Sequence, residues 1–306
     1  MPRNPTGRQV TASLAAAVVA GAALVTYAAV VERNRFTLRR VSMPVLAAGT
    51  PPMTVLHLSD LHMVPGQRRK REWVRRLADY RPDLVVTSGD TLTWAESVPA
   101  ALDALDPLLD RPGVFVMGNN DYYQPVPKSP LTYFDPEDSD RHGPELPWRE
   151  LSAALRHRGW LDLDNRRETV HLPQGRVAVT GLDDPHLGRD RFDAVSGRAD
   201  PDAALRLAVL HAPQPTLLDS FAAEGYDLAL AGHTHGGQVR LPGFGAAVTN
   251  CHIDRRHARG AFPWPDPGGR MRVNVSAGRG TSPYAPVRLF CPPEATLLTL
   301  VARDSR

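Results

Sequence analysis

Cysteine is scarce: Cys251 and Cys291 are the only two in 306 residues, and no CxxC spacing occurs. That excludes a disulfide framework and a thiolate zinc site, and leaves a single bridge open. Charge of one sign is not in excess either. Lys and Arg total 36 against 33 Asp and Glu, a net charge of +3, too mild to argue for nucleic acid, and no such partner is expected. Neither a GxxxxGK, a GxGxxG nor a GxSxG motif is present. P-loop kinase, dinucleotide-dependent dehydrogenase and serine-hydrolase chemistry therefore have no support. Proline (29) and glycine (24) are plentiful but aperiodic, which excludes collagen-like repeats and points to turns and long ordered loops. With 42% hydrophobic and 23% charged residues, the composition is that of a globular protein rather than a disordered one.

One long apolar run is present. Residues 9–31 carry no charge and are dominated by Ala, Val and Leu, and about 20 such residues cross a bilayer's hydrocarbon core. Arg3 and Arg8 precede the run; Arg33, Arg35, Arg39 and Arg40 follow it. A cleaved signal peptide and a buried core helix are the competing readings. The length, the terminal position and the basic flanks favour an uncleaved anchor within residues 1–40, and hence a single-pass protein of the cell membrane. The side of the membrane stays open. Residues 41–53, with Pro44, Pro51 and Pro52, read as a short stiff linker into a soluble domain over 54–306.

Within that domain apolar runs alternate with helical patterns. Runs at 53–59, 84–87, 114–117, 177–180, 205–210 and 228–231 read as strands, and segments 68–80, 98–109, 148–158 and 215–223 as helices. Alternation of this kind predicts an α/β fold with a largely parallel core. The basic stretch 68–71 reads as a solvated helix face. Beyond Gly237, short runs at 272–275, 287–290 and 295–300 read as an antiparallel addition that closes the fold.

Five of the strands end in side chains able to ligate a metal. They run into Asp60 and His62, into Gly89-Asp90, into Gly118-Asn119-Asn120-Asp121, into His211, and into Gly232-His233-Thr234-His235-Gly236-Gly237. Ligand sites in open α/β sheets gather beyond the carboxyl ends of strands. Each block alone is an ordinary turn, cap or structural histidine; five in succession point to two metal ions held together. A mixed Asp, Asn and His donor set without cysteine suits Mn, Fe or Zn better than Mg or Ca.

The set SDLH, GD, GNND, LH and GHTHGG resembles the calcineurin-like metallophosphoesterases, whose pattern is D-x-H, GD, GN-H-[D/E], H and G-H-x-H. The resemblance runs from about residue 55 to the carboxyl end. The GHTHGGQ form and the closing stretch from Ser276-Ala277-Gly278 to Pro293-Glu294 are similar to a bacterial membrane-associated branch, which includes enzymes acting on a UDP-linked diacylglucosamine lipid. The resemblance implies an α/β fold, a four-layer α-β-β-α sandwich of two mixed sheets, preceded by one transmembrane helix. It implies two divalent metal ions, with Asp60, His62 and His235 on the first, Asn119, His211 and His233 on the second, and Asp90 bridging. A hydroxide held between the ions would attack phosphorus, on a phosphorylated small molecule or a lipid.

The family usually has His after the Asn ligand, as proton donor to the leaving oxygen; this chain has Asn120, which cannot serve as imidazolium does. Asn120 and Asp121 are the candidate catalytic positions, Asp121 orienting whichever neighbour lies in the site, and Asn120 rather than Asn119 stays open as the ligand. A leaving group that needs no proton, such as a phosphate split from a diphosphate, is the preferred account. Substitution by His186 is the alternative, and nothing in the sequence brings His186 to the site. The long segment 122–147 reads as a lid or substrate loop, with Tyr122, Tyr123, Tyr133, Phe134 and Trp148 as candidate substrate contacts. Lys128, Arg141, Arg279 and Arg288 are candidate phosphate contacts. Cyclic-nucleotide or phosphoprotein hydrolysis and a non-catalytic scaffold are the competing functions; all seven ligand positions are filled, which disfavours the scaffold.

Overall fold

A computed structural model of the chain describes residues 7–127, 142–249, 251–265, 270–281 and 283–303. Helix α1 (Gly7–Thr26) runs on through a π-helical turn, Tyr27–Val31, and a 3-10 turn, Glu32–Asn34. The most apolar stretch within the span Ser13–Asn34 has a mean hydropathy of 2.3 and is only 6% buried. By length and composition that span is the one helix among the described residues able to cross a membrane.

Two mixed six-stranded sheets follow. The first is built from β1 (Thr37–Leu46), β2 (Met53–Leu58), β3 (Leu84–Ser88), β4 (Gly113–Val116), β5 (Leu161–Asp162) and the last strand, β14 (Glu294–Ala302), in the order β1-β14-β2-β3-β4-β5. The second contains β6 (Arg166–Leu172), β7 (Gly175–Gly181), β8 (Leu205–Val209), β9 (Leu228–Ala231), β12 (Gly260–Pro263) and β13 (Arg272–Val275), in the order β12-β13-β9-β8-β7-β6. A small hairpin, β10 (Arg240–Leu241) with β11 (Gly245–Ala246), stands apart.

The strands read as unbroken apolar runs because both faces of each sheet are covered. Successive residues divide between layers. Val55, Val86, Val114 and Val116 meet Leu207, Val209, Leu228 and Leu230 between the sheets. Leu56, Val85 and Phe115 face the other way, onto α2 (Arg68–Arg75), α3 (Val98–Leu105) and α5 (Trp148–His157) through Val74, Leu105 and Leu151. On the far side, Ala208, Ala229 and Val273 pack on Leu218 and Phe221 of α6 (Pro215–Ala223). The result is the expected helix-sheet-sheet-helix sandwich.

Two boundaries differ from the sequence reading. Residues 41–46, assigned to a linker, lie in β1, which pairs in parallel with β14 from Thr37–Glu294 to Leu46–Ala302. Arg39, Arg40 and Pro44 disguise it; an edge strand tolerates a proline and exposed charge that a central strand does not. The closing segment is mixed rather than antiparallel: β13 runs parallel to β9, while β14 is antiparallel to β2. Residues 287–290 contribute only a bridge between Val239 and Leu289. Both cysteines are buried and free.

Candidate metal centre

The expected ligands converge from both sheets. Asp60 and His62 follow β2, Asp90 follows β3, and Asn119 opens the one-turn helix α4 (Asn119–Tyr122) after β4; His211 follows β8, and His233 and His235 follow β9. Each strand must turn sharply to aim these side chains inward. Asp60, His62, Asp90, His233 and His235 all adopt positive φ, between 40° and 64°, a conformation that costs an ordinary residue about 1–2 kcal/mol. Cross-loop hydrogen bonds hold them there: Asp60 N donates to Gly89 O at 3.0 Å, His62 N to Asp90 O at 2.9 Å and Gly232 N to His211 O at 2.8 Å. The glycines beside them make room. A Cβ on Gly232 would collide with Ser59 Oγ and sit 2.7 Å from Asp60 Oδ2.

Two buried groups of donors result. One comprises Asp60, His62, Asp90 and His235, the other Asp90, His211 and His233, with the ligand atoms of each within 4.8 Å of one another. Asp90 belongs to both. Its Oδ2 lies 3.4 Å from His62 Nε2 and its Oδ1 3.5 Å from His211 Nε2. His62 Nε2 and His235 Nε2 are 3.1 Å apart, as are His233 Nδ1 and His211 Nε2. His211 Nδ1 donates to Ser88 O at 2.7 Å and His235 Nδ1 to Gly280 O at 3.3 Å, which leaves the Nε2 lone pair of each for a cation.

The chemistry of the donor set fits two divalent ions. Asn119 Oδ1 is buried and accepts no hydrogen bond, an orphaned acceptor that a cation would satisfy. Asn120 is engaged elsewhere: its backbone N and its Nδ2 each reach an Asp90 carboxylate oxygen at 2.8 Å. Asp121 is fully buried and accepts from Thr91 N, Leu92 N and Gly118 N, tying the β3 and β4 loops together. Without cations, burial pushes the Asp90 carboxyl up to about 7. Burial pulls His235 down to about 4 against the Asp60 carboxylate, and drives His62 well below its ordinary value with help from His235 and Lys70. Burial also disfavours charge on His211, but Asp90, Asp184 and Asp60 overcome it and lift the imidazole to about 9.

Several residues stand where the sequence did not place them. His186 lies at the site after all, its ring stacked on that of His233 with centroids 4.0 Å apart. The 3-10 turn Pro185–Leu187, capped by the Asp184 carboxylate, carries it there. Lys70, read as part of a solvated face, is buried, and its Nζ donates to Leu61 O at 2.8 Å and His62 O at 3.2 Å. Arg288 is no phosphate contact. Fully buried, its guanidinium donates to the carbonyls of His235, Ala277, Gly278, Gly280 and Cys291. Arg279 is also buried, over Trp73 at 5.7 Å. Tyr122 packs in the core and donates to Asp183, and Trp148 meets it edge-on. Lys128, Tyr133, Phe134 and Arg141 lie outside the described residues. His57, which sequence reasoning passed over, is buried between Ser88 Oγ and Asn274 Nδ2, each 2.9 Å away, with burial and Arg39 holding it neutral at about 3.

The family model of calcineurin-like phosphoesterases matches residues 53–237. The chain belongs to the calcineurin-like phosphoesterases. It is a metal-dependent phosphoesterase, a hydrolase with a candidate binuclear site formed by the two donor groups. Among its relatives in that family, the phosphodiesterase YaeI of Escherichia coli is 27% identical over 88% of this chain and 90% of its own length. The UDP-2,3-diacylglucosamine pyrophosphatase LpxG of Chlamydia trachomatis is 24% identical over 94% and 96% respectively. The uncharacterized protein YpbG of Bacillus subtilis is 25% identical over 82% of each chain.

Proposed function

We propose that this phosphoesterase is anchored by α1 and hydrolyses a phosphoester or diphosphate bond in an amphiphilic, lipid-linked substrate at the membrane. The observation that carries the reaction is Asp90, whose two oxygens face one donor group each. We assign Asp60, His62 and His235 to one ion, Asn119, His211 and His233 to the other, and Asp90 to both, with Mn, Fe or Zn as occupants. When bound, such a pair supplies an activated water and neutralises charge on the phosphoryl oxygens. The chain's own residues fix the geometry: Asn120 steadies Asp90, Asp121 locks the loops beneath it, and His211 and His235 present Nε2 because their Nδ1 protons are held by carbonyls. The apolar span and the length-wide similarity to LpxG support a lipid-linked substrate.

The test is hydrolysis by Mn-loaded full-length protein in detergent of bis(4-nitrophenyl) phosphate, cyclic and linear nucleotides, phosphopeptides and UDP-linked lipids, with Asp90→Asn as control. Highest kcat/KM on the lipid, abolished in the control, is the expected result. Full activity in Asp90→Asn refutes the site, and a preference for nucleotides or phosphopeptides refutes the substrate class. Carbonate-resistant membrane retention, lost when residues 1–34 are removed, tests the anchor.

A further inference from the structure

Outside the apolar span, the exposed large hydrophobic side chains among the described residues are Tyr80, Leu241, Phe244, Val248, Tyr284 and Phe290. Five of these six fall in two stretches, 241–248 and 284–290. Singly exposed hydrophobics need no explanation, but a cluster marks an interaction surface. The two stretches are one structural unit: Arg240 N donates to Leu289 O, and Leu289 N to Gln238 O, both at 2.9 Å. The unit is also bonded to the exit of the apolar span. Arg288 N donates to Ala28 O at 3.1 Å, Arg33 Nη1 to Pro286 O at 3.3 Å and Cys291 N to Glu32 Oε1 at 2.6 Å.

We infer that Leu241, Phe244, Val248, Tyr284 and Phe290 form a rim that seats in the surface of the lipid bilayer crossed by α1. This rests on the anchoring reading above. Counted from Gln9, where the uncharged run begins, the helix at about 1.5 Å per residue has crossed about 30 Å, the hydrocarbon thickness, by Ala28, the first point where residues 286–291 attach to it. That places the rim at headgroup level by covalent and hydrogen-bonded connection alone. Its chemistry suits that depth. Two arginines flank the exposed aromatic and aliphatic side chains: Arg255 lies over the Phe244 ring at 5.1 Å, and Arg240 reaches back to Gly236 O. Aromatic residues beside arginine are the composition of interfacial anchors on anionic membranes. A groove of ≈ 590 Å³ whose walls mix Phe244, Cys251 and Ile253 with His252, Asp254 and Arg255 flanks the hairpin. The hairpin begins at Arg240, five residues after His235. The rim therefore holds the loop that carries His233 and His235 close to the lipid surface.

The test uses full-length protein in phosphatidylglycerol–phosphatidylcholine nanodiscs. Phe244→Cys and Phe290→Cys are labelled with the environment-sensitive dye NBD, as is Glu168→Cys on the distant edge strand β6. Wild type, whose two cysteines are buried, is the labelling blank. A rim seated roughly 5–10 Å into the headgroup–acyl boundary predicts blue-shifted emission and loss of about half the intensity or more to doxyl-labelled lipid at 244 and 290, and neither at 168. Equal, unquenched emission at all three positions in protein that stays in the bilayer overturns the rim and leaves the anchor standing. Release of unlabelled protein by carbonate overturns both.

Discussion

Arg288→Ala is the most revealing substitution outside the ligands. The guanidinium is fully buried, hydrogen-bonded to no carboxylate among the described residues, and donates instead to five backbone carbonyls, the closest being Gly280 O at 2.6 Å and Ala277 O at 2.7 Å. Burial lowers its affinity for the proton, so the folded state bears a desolvation cost that those bonds offset. Truncation strands the carbonyls, each worth about 1–3 kcal/mol when buried and unsatisfied, while the desolvation cost of the cation is relieved. The net loss should be about 3–5 kcal/mol, a large share of the 5–15 kcal/mol typical of a folded chain, and roughly 10 °C in melting midpoint. Two of the carbonyls, His235 O and Gly280 O, flank a ligand imidazole, and Gly280 O also receives the His235 Nδ1 proton. Mn affinity should therefore fall about 10–100-fold. Arg288→Lys keeps the charge but cannot span carbonyls on both sides, and should fall between the two. Calorimetric melting and Mn titration of the three proteins in detergent decide it. An Arg288→Ala protein with the wild-type midpoint and wild-type Mn affinity would refute the reasoning.

Three further outcomes are expected. Gly232→Ala drives a methyl into Ser59 Oγ and toward Asp60 Oδ2; Mn content by atomic emission should drop well below that of wild type, and a fully loaded variant would contradict the packing. Metal-free Lys70→Met protein should lose stability as pH rises from 6.5 to about 9, whereas in wild type the buried Lys70, lowered to about 7, favours the fold over the same range and offsets the loss. The raised His211 proton stabilises the fold below its unfolded value and is lost through the folded one; the raised Asp90 has already lost its contribution by about pH 7. Mn displaces that proton, so melting curves of loaded protein should lack the decline. Asn120→His should raise turnover of alkyl phosphate esters more than aryl ones, because a new proton donor matters only for a poor leaving group; equal gains on both would remove the leaving-group argument.

The donor cluster was legible because every strand that carries a ligand is buried on both faces, so its end is marked by the step from an apolar run to Asp, Asn or His. His186 was not. No periodicity distinguishes it, and only the Asp184-capped turn turns its ring onto His233. Lys70 was misread for a related reason: Arg68, Arg69 and Arg71 give the same local signal, and burial of the one lysine depends on α2 docking over Leu61 and His62. Strand β1 hid because its partner lies some 250 residues on, so the pairing that defines it has no local trace. The strained φ values at Asp60, His62 and Asp90 were equally invisible, since non-glycine residues rarely adopt them and the cross-loop bonds that impose them are tertiary.

That first strand also decides how the molecule bears a load. It leaves the amino-terminal helix after only a few residues and lies alongside the final strand in the same direction, from Thr37–Glu294 to Leu46–Ala302. Tension on the helix, the proposed membrane anchor, is therefore applied at the amino end of this parallel pair. The rungs of the ladder then share the load instead of parting one by one like a zipper, together with the bonds from Arg288 and Cys291 to Ala28 and Glu32 that lead on to the His235 loop.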